Sequence, residues 1–382
     1  MDVIRKDYLK TESLYEMLRI AMGVESPKLG DASKFEACEW EILYDDALKQ
    51  LLAAVVFSAI DKLPQNQRPS RQQIFQWALD AETVKGHNLF LNKEAARLTK
   101  IFAVQGWKSV ILKGPANARL YPNPYLRQTG DIDIWVDADR ESIVELIKKS
   151  GFKVDEVYFL SEHHIKFTSD CGAIVEAHYK PSSGNFNPIT SRRLLSFLEK
   201  EIQTSEFTPE GFYVPSIKFA LVMQLAHIQH HFLAGGIGLR QLVDYFVLLE
   251  HSTRQDRSEI KASLKKFGLR NVCGAVMWIL GHVLKLEPSK MLCEPSEWLG
   301  KKMLADIVVG GNFGKHKKFY GNAVQHWIRR KRRLISLFWI APVEIFWEEA
   351  KYWKNLVESI PLRVRLRKVS LYRDSIWDLY EE

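Results

Sequence analysis

The chain has 382 residues, 46% hydrophobic and 26% charged, the balance of a soluble globular protein with room for two or three domains. No stretch approaches the roughly 18–20 apolar residues that cross a bilayer, and MDVIRKDYLK carries charges where a signal peptide has its apolar core, so export is not expected. The net charge of +8 favours polyanionic partners, but most of the excess sits near the C-terminus, in RRKRR (329–333) and RVRLRK (363–368).

Residues 1–105 are mostly helical in period. Apolar residues recur at three- and four-residue spacing over 40–63 and over 71–105, with Pro64, Pro69 and Gly106 as punctuation. Residues 106–181 change character. Short β-rich runs appear at 108–114, 131–137, 153–160, 163–169 and 173–179. One helix interrupts them, ADRESIVELIKKSG (138–151), with Asp139 as N-cap, Lys148 and Lys149 in its last turn and Gly151 as its stop. Residues 182–382 return to helical period, with helices expected over 217–233, 239–251, 257–268 and 271–286 and a final aromatic stretch over 334–360 broken by Pro342. The expected fold class is α+β: a small mixed sheet flanked by an N-terminal and a C-terminal helical region.

Cys38, Cys171, Cys273 and Cys293 form no CxxC pair. Neither a zinc site nor a disulfide framework is expected, and a reducing cytoplasm fits.

The chemistry centres on TGDIDIWVD (129–137). Strand side chains alternate faces, so Asp131 and Asp133 share one face, with Cβ atoms roughly 6–7 Å apart, while Ile132, Ile134 and Val136 point into the core. Two such carboxylates can seat one divalent cation or share a pair about 3.5–4 Å apart. Mg²⁺, or Mn²⁺, suits a few carboxylates, waters and phosphate oxygens. AIVEAHYK (173–180) offers Glu176, with His178 on its face; if this strand lies beside 131–136, Glu176 joins the two aspartates. Upstream, SVILKG ends in Lys113 and Gly114, and the following loop holds Arg119 and Arg127, cations suited to phosphate. A D-x-D pair on a solvent-facing strand edge is the bland alternative.

These residues resemble the DNA polymerase beta-type nucleotidyltransferase superfamily. LKG…YP.P..R..GDIDI…VE.H, followed by H…LRQLVDY, is similar to the bacterial "uncharacterised nucleotidyltransferase" family. The resemblance centres on 107–180 and extends more loosely to 80–250. It implies metal-dependent transfer of a nucleoside monophosphate from an NTP to the hydroxyl of an unidentified acceptor, with release of pyrophosphate. Asp131 and Asp133 would be metal ligands, Glu176 the third acid, and Gly114 the shaper of the triphosphate loop. Where the superfamily usually carries Gly-Ser, this chain has Gly114-Pro115, which leaves phosphate contacts to Lys113, Arg119, Arg127 or backbone amides.

Two further features are read both ways. Arg240 and Asp244 stand at i, i+4, which reads as an intrahelical ion pair or as a helix offering Arg240 or His227 to phosphate. His227 and His231, also at i, i+4, read as a packed face or as metal ligands, and His163 and His164 as structural strand histidines. RRKRR, with Trp327 and Trp339 nearby, reads as a solvated helix face. The alternative function is a non-catalytic protein of this fold that binds nucleic acid or an anionic membrane through its basic helices. The aromatic residues Phe338, Trp339, Phe346, Trp347 and Trp353 are expected in core or interface.

Overall fold

The computed structural model describes residues 2–26, 37–154, 163–314 and 322–365. The chain opens with helices α1 (Asp2–Ala21), α2 (Ala37–Lys49), α3 (Ala53–Ile60) and the long α4 (Arg71–Val104). The run expected as one helix over 40–63 is two, because Leu51 takes a left-handed φ of +54°. A leucine avoids that conformation unless its surroundings impose it. Here the buried Gln50 imposes it: its Nε2 donates to the Ile307 carbonyl at 3.1 Å and its Oε1 accepts from the Leu239 amide at 2.8 Å. Helix α4 begins at a reciprocal cap in which the Ser70 hydroxyl accepts from the Gln73 amide and the Gln73 side chain accepts from the Ser70 amide.

Strands β1 (Ser109–Ile111), β2 (Ile132–Val136), β3 (Lys153–Val154), β4 (His164–Thr168) and β5 (Ile174–His178) form one sheet in the order β1-β2-β5-β4-β3. Residues 155–160 of the expected strand 153–160 lie outside the described residues. Only β2 and β5 run parallel, so the sheet is mixed. The short helix α5 (Pro115–Ala118) follows β1, and α6 (Arg140–Lys149) follows β2. Asp139 caps α6, accepting from the Ser142 amide at 2.9 Å.

The D-I-D-I alternation sorts the two faces. Ile132, Ile134 and Val136 pack with Ile165, Phe167, Val175 and Ala177 beneath Leu91, Leu98 and Phe102 of α4 and Ile143 and Ile147 of α6. Burial of each such side chain is worth about 1.5–3 kcal/mol, and a one-residue slip would exchange this face for the charged one. Register therefore fixes the acids on the opposite face, where Asp133 stands beside Glu176 and His164 beside His178.

Beyond the sheet come α7 (Pro188–Glu201), a ribbon of β6 (Glu206–Phe207) and β7 (Tyr213–Val214), then α8 (Ile217–Ala234), α9 (Leu239–Glu250), α10 (Arg254–Ser263), α11 (Arg270–Leu284), α12 (Glu297–Gly310), α13 (Ala323–Leu337) and α14 (Pro342–Arg365). Residues of α1–α3 and of α8–α12 share one hydrophobic core. Arg19 ties α1 to α11, its Nε donating to the Val283 carbonyl at 2.8 Å. No helix among the described residues is long and apolar enough to cross a membrane.

The RRKRR cluster on α13 is largely spent inside the fold. Arg330 pairs with Glu348 and Glu349 of α14, Lys331 with Glu349, and Arg333 with Asp306 of α12. The buried ring of Tyr352 lies under Arg330, 4.3 Å from its guanidinium carbon. Phe338, Trp339, Phe346 and Trp353 are exposed rather than core. The side chains of RVRLRK (363–368) lie outside the described residues.

Candidate active site

Five segments converge on the open sheet face. Strand β2 brings Asp131 to its entrance and Asp133 to its interior. Strand β5 sets Glu176 and His178 beside it, the β1–α5 turn brings Lys113 and Gly114, and helices α8 and α9 form the roof. Together they enclose a cavity of about 360 Å³, walled on the helical side by Gln224, His227, His231, Arg240 and Gln241.

The turn after β1 requires glycine. Gly114 has φ +61°, and a Cβ there would lie 3.0 Å from the Thr129 Cγ2 and 3.2 Å from the Asp131 carbonyl oxygen. Pro115 follows as the first residue of α5, where a missing amide hydrogen costs nothing. Asn117 of α5 and Gln224 of α8 exchange hydrogen bonds of 3.0 and 2.8 Å, which clamps this turn to the roof.

Charge is compensated unevenly on the floor. Asp133 is buried, 2.9 Å from the Lys113 ammonium and 3.1 Å from His178 Nε2. Burial pushes its carboxyl up, but Lys113 and His178 outweigh burial and hold it well below the usual carboxylate range. Burial and then the neighbouring Asp133 push Asp131 up to about 6. Among the described residues Asp131 makes no ion pair or hydrogen bond. Burial raises Glu176 too, yet the His178 hydrogen bond brings its carboxyl below the ordinary value. Burial opposes the charge on Lys113, and Asp133, Glu176 and Asp131 overcome it, so Lys113 stays a cation. His178 follows the same logic: burial lowers it, and Asp133 and Glu176 raise it further.

These residues suit a hard divalent cation. Ligand atoms of Asp133, Glu176 and His178 lie within 4.8 Å of one another, and carboxylate oxygens dominate the set. Asp131 stands outside that trio, with no ion pair among the described residues. An ammonium group already sits against Asp133, so a positive charge is what this carboxylate is built to meet.

The predicted cations divide. Lys113 and Arg240 face the cavity. Arg240 donates to the Gln128 carbonyl at 2.5 Å, while its Nε is buried without a hydrogen-bond partner. Burial and the neighbouring Arg127 lower Arg240 to about 10, so it remains charged. Arg127 lines the cavity but is locked in a fork with Asp244, with hydrogen bonds of 2.9 and 2.6 Å, and Tyr121 donates to the same carboxylate at 2.7 Å. Asp244 thus pairs across the fold rather than with Arg240 one turn away. Arg119 is turned elsewhere: it pairs with Glu210 at 3.0 Å and lines a separate cavity beside Ser216 and His251. The structure does not bring it to the acids.

The rings of His227 and His231 lie against each other in the roof at a tilt of 52°, centroids 4.1 Å apart. Burial drives His227 far below its ordinary value and His231 to about 3, so both are neutral. Sequence reading missed Asn117, Gln224 and Tyr121, whose partners are 107 or more residues away, and no local pattern signals them.

A family model described as "Uncharacterised nucleotidyltransferase" matches residues 36–285, from α2 through the sheet to the end of α11. The chain belongs to this nucleotidyltransferase family. The resemblance read from LKG, GDIDI and VE.H is confirmed at family level, and helices α12–α14 lie beyond the matched region. A solved structure, an antigenic nucleotidyltransferase-like protein from Paracoccidioides brasiliensis, is 13% identical, with a TM-score of 0.29, over 55% of this chain and 95% of its own. No curated protein matches the chain significantly.

Proposed function

We propose that this nucleotidyltransferase-family chain is an active, divalent-cation-dependent enzyme that transfers a nucleoside monophosphate from an NTP to a hydroxyl group, releasing pyrophosphate. The observation that carries the proposal is the common sheet face of Asp131, Asp133 and Glu176, the floor of a cavity whose walls supply Lys113 and Arg240.

Asp131 and Asp133 would hold Mg²⁺ or Mn²⁺, and the bound cation would supply charge neutralisation for the triphosphate and polarisation of the phosphoryl group. Glu176 is the third acid, as ligand or as base for the acceptor hydroxyl. The acceptor oxygen forms a bond to the α-phosphorus. The bond from that phosphorus to the β-phosphate oxygen breaks, and pyrophosphate leaves with the electron pair. The acceptor proton passes to the carboxylate. Lys113 is placed to exchange Asp133 for a phosphate oxygen, and the unpartnered Nε of Arg240 offers a second donor.

The alternative, a non-catalytic binder of polyanions, draws on the RRKRR cluster, in which Arg330, Lys331 and Arg333 are already paired with acids of α12 and α14. The test is a thermal-shift screen of the four NTPs with Mg²⁺ or Mn²⁺, followed by pyrophosphate release with candidate acceptors. Stabilisation that needs both metal and triphosphate, and that Asp131→Asn abolishes, is the expected result. No shift with any NTP would sink the proposal.

A further inference from the structure

On the same sheet face as the acids, one residue pair along, three imidazoles converge. His164 of β4 stands directly beside His178 of β5. His163 precedes β4, and its carbonyl accepts from the Tyr179 and Lys180 amides at 3.1 and 3.3 Å, which pins it against the end of β5. The ring centroids are 4.4 Å apart for His163 and His164, 5.6 Å for His163 and His178, and 5.3 Å for His164 and His178. One ring nitrogen from each lies within 4.8 Å of the other two.

Two details point to a ligand. His178 is 5% exposed, and its Nδ1 is buried with no hydrogen-bond partner, although its Nε2 meets Asp133 at 3.1 Å. A buried polar atom left unsatisfied is costly. Second, His163 Nε2 and His164 Nδ1 face each other at 2.9 Å, so two of the three rings already turn nitrogens toward one point of the cluster.

We propose that His163, His164 and His178 form a second metal site, of nitrogen type, for Zn²⁺ or a similar borderline transition-metal ion. Zinc binds imidazole nitrogen at about 2.0–2.1 Å, so nitrogens of one tetrahedral site stand about 3.3 Å apart, within reach of this cluster by small ring rotations. The three rings leave a fourth position for water. The site is chemically distinct from the oxygen-rich floor: imidazole selects zinc, copper or nickel, and carboxylates with water select Mg²⁺.

The two sites meet at one residue. With its Nδ1 bound to metal, neutral His178 must carry its proton on Nε2 and donate it to Asp133. That is the carboxylate–histidine–metal arrangement by which an outer carboxylate fixes a ligand's tautomer, and here the carboxylate is itself a proposed ligand of the catalytic cation. The histidine site is inferred from its own geometry and does not depend on nucleotidyl transfer.

The test uses the full chain, stripped with chelator and titrated with Co²⁺, then Zn²⁺. One equivalent of Co²⁺ should give the intense visible bands of a low-coordinate nitrogen site, and Zn²⁺ should bleach them. The bands should persist in Asp131→Asn/Glu176→Gln and be lost in His163→Gln/His164→Gln. Persistence in the histidine variant, or loss in the carboxylate variant alone, overturns the assignment. Because the histidine variant could misfold, X-ray absorption on the zinc-loaded wild-type chain supplies an independent measurement. Three imidazoles in the zinc shell support the site, and an oxygen-dominated shell refutes it.

Discussion

Asp131 and Asp244 face the same cavity from opposite sides and meet opposite treatment. On the helical side, Asp244 is sealed by the Arg127 fork and the Tyr121 hydroxyl, and these hold its carboxyl below the ordinary range although burial opposes them. On the sheet side, burial and Asp133 push Asp131 up to about 6, and nothing among the described residues pairs with it. A buried charge is expensive unless compensated. The roof has been compensated by its own chain and acts as scaffold. On the floor, Lys113 and His178 meet Asp133, while Asp131 has no ion pair among the described residues, which leaves it available to a bound cation. The same residue type is thus paired for support on one wall and, under the proposed function, left for ligand binding on the other.

The sharpest test of that difference is activity. Asp133→Asn removes a charge that the proposed cation would need and should cost several kcal/mol of transition-state stabilisation, on the order of 10³-fold in turnover. The chain should stay folded, as judged by its circular dichroism, because Lys113 and His178 keep a hydrogen-bonding partner. Full turnover in this variant would remove the floor from the chemistry.

The reverse pattern is expected on the roof. Asp244→Ala leaves Arg127 buried and unpaired, which typically costs about 3–5 kcal/mol, measurable as a lowered urea midpoint. Arg127→Met/Asp244→Leu should recover much of the loss, since a dry apolar pair can replace a buried ion pair. If Asp244→Ala left stability intact, the roof would have to be reread as a second ligand site. A smaller loss is expected at the hinge between the two walls. Gly114→Ala places a methyl against Thr129 and the Asp131 carbonyl at positive φ, for a cost of about 1–2 kcal/mol, and it should weaken metal-dependent NTP binding as well.

How much of this was legible in the sequence follows the range of the forces involved. The floor was readable because D-I-D-I encodes its own two faces, and Glu176 lies at the centre of a strand whose alternation is equally plain. The helix after β2 was readable from its cap and stop residues. The roof was not. Arg240 and Asp244 stand at ion-pair spacing, yet Arg127 reaches Asp244 from a loop 117 residues away with two charge-assisted hydrogen bonds, and geometry of that quality outcompetes a surface-type helical pair. Gln50 breaks the first long helix through partners 189 and 257 residues distant. The histidines at 163 and 164 looked like isolated strand residues because only the β4–β5 register sets them beside His178. RRKRR looked like a free basic face because its acids lie on helices that no local pattern ties to it.

The smallest effect separates the two aspartates by pH. The folded-state value of Asp131, about 6, lies above its unfolded value of about 3.9. The metal-free fold therefore holds this proton more tightly than the unfolded chain does. That stabilisation is full at low pH and is lost as pH rises through the window from about 4 to 6. A divalent cation binds only the ionised carboxylate, so its apparent affinity should rise about tenfold per pH unit below 6 and level off above it. Asp244 has the opposite sign. Its folded value is lowered, so its contribution is present above about 3.9, is lost only as pH falls below that, and is silent between pH 5 and 7. The Mg²⁺-induced thermal shift should accordingly grow from pH 5 to pH 7 in the wild-type chain. His178, raised above its ordinary value, sheds its proton at higher pH in wild type and variant alike, so Asp131→Asn isolates the lower step. A Mg²⁺ shift that kept the same pH dependence in Asp131→Asn would place the titrating ligand elsewhere on the floor, with Glu176 next in line.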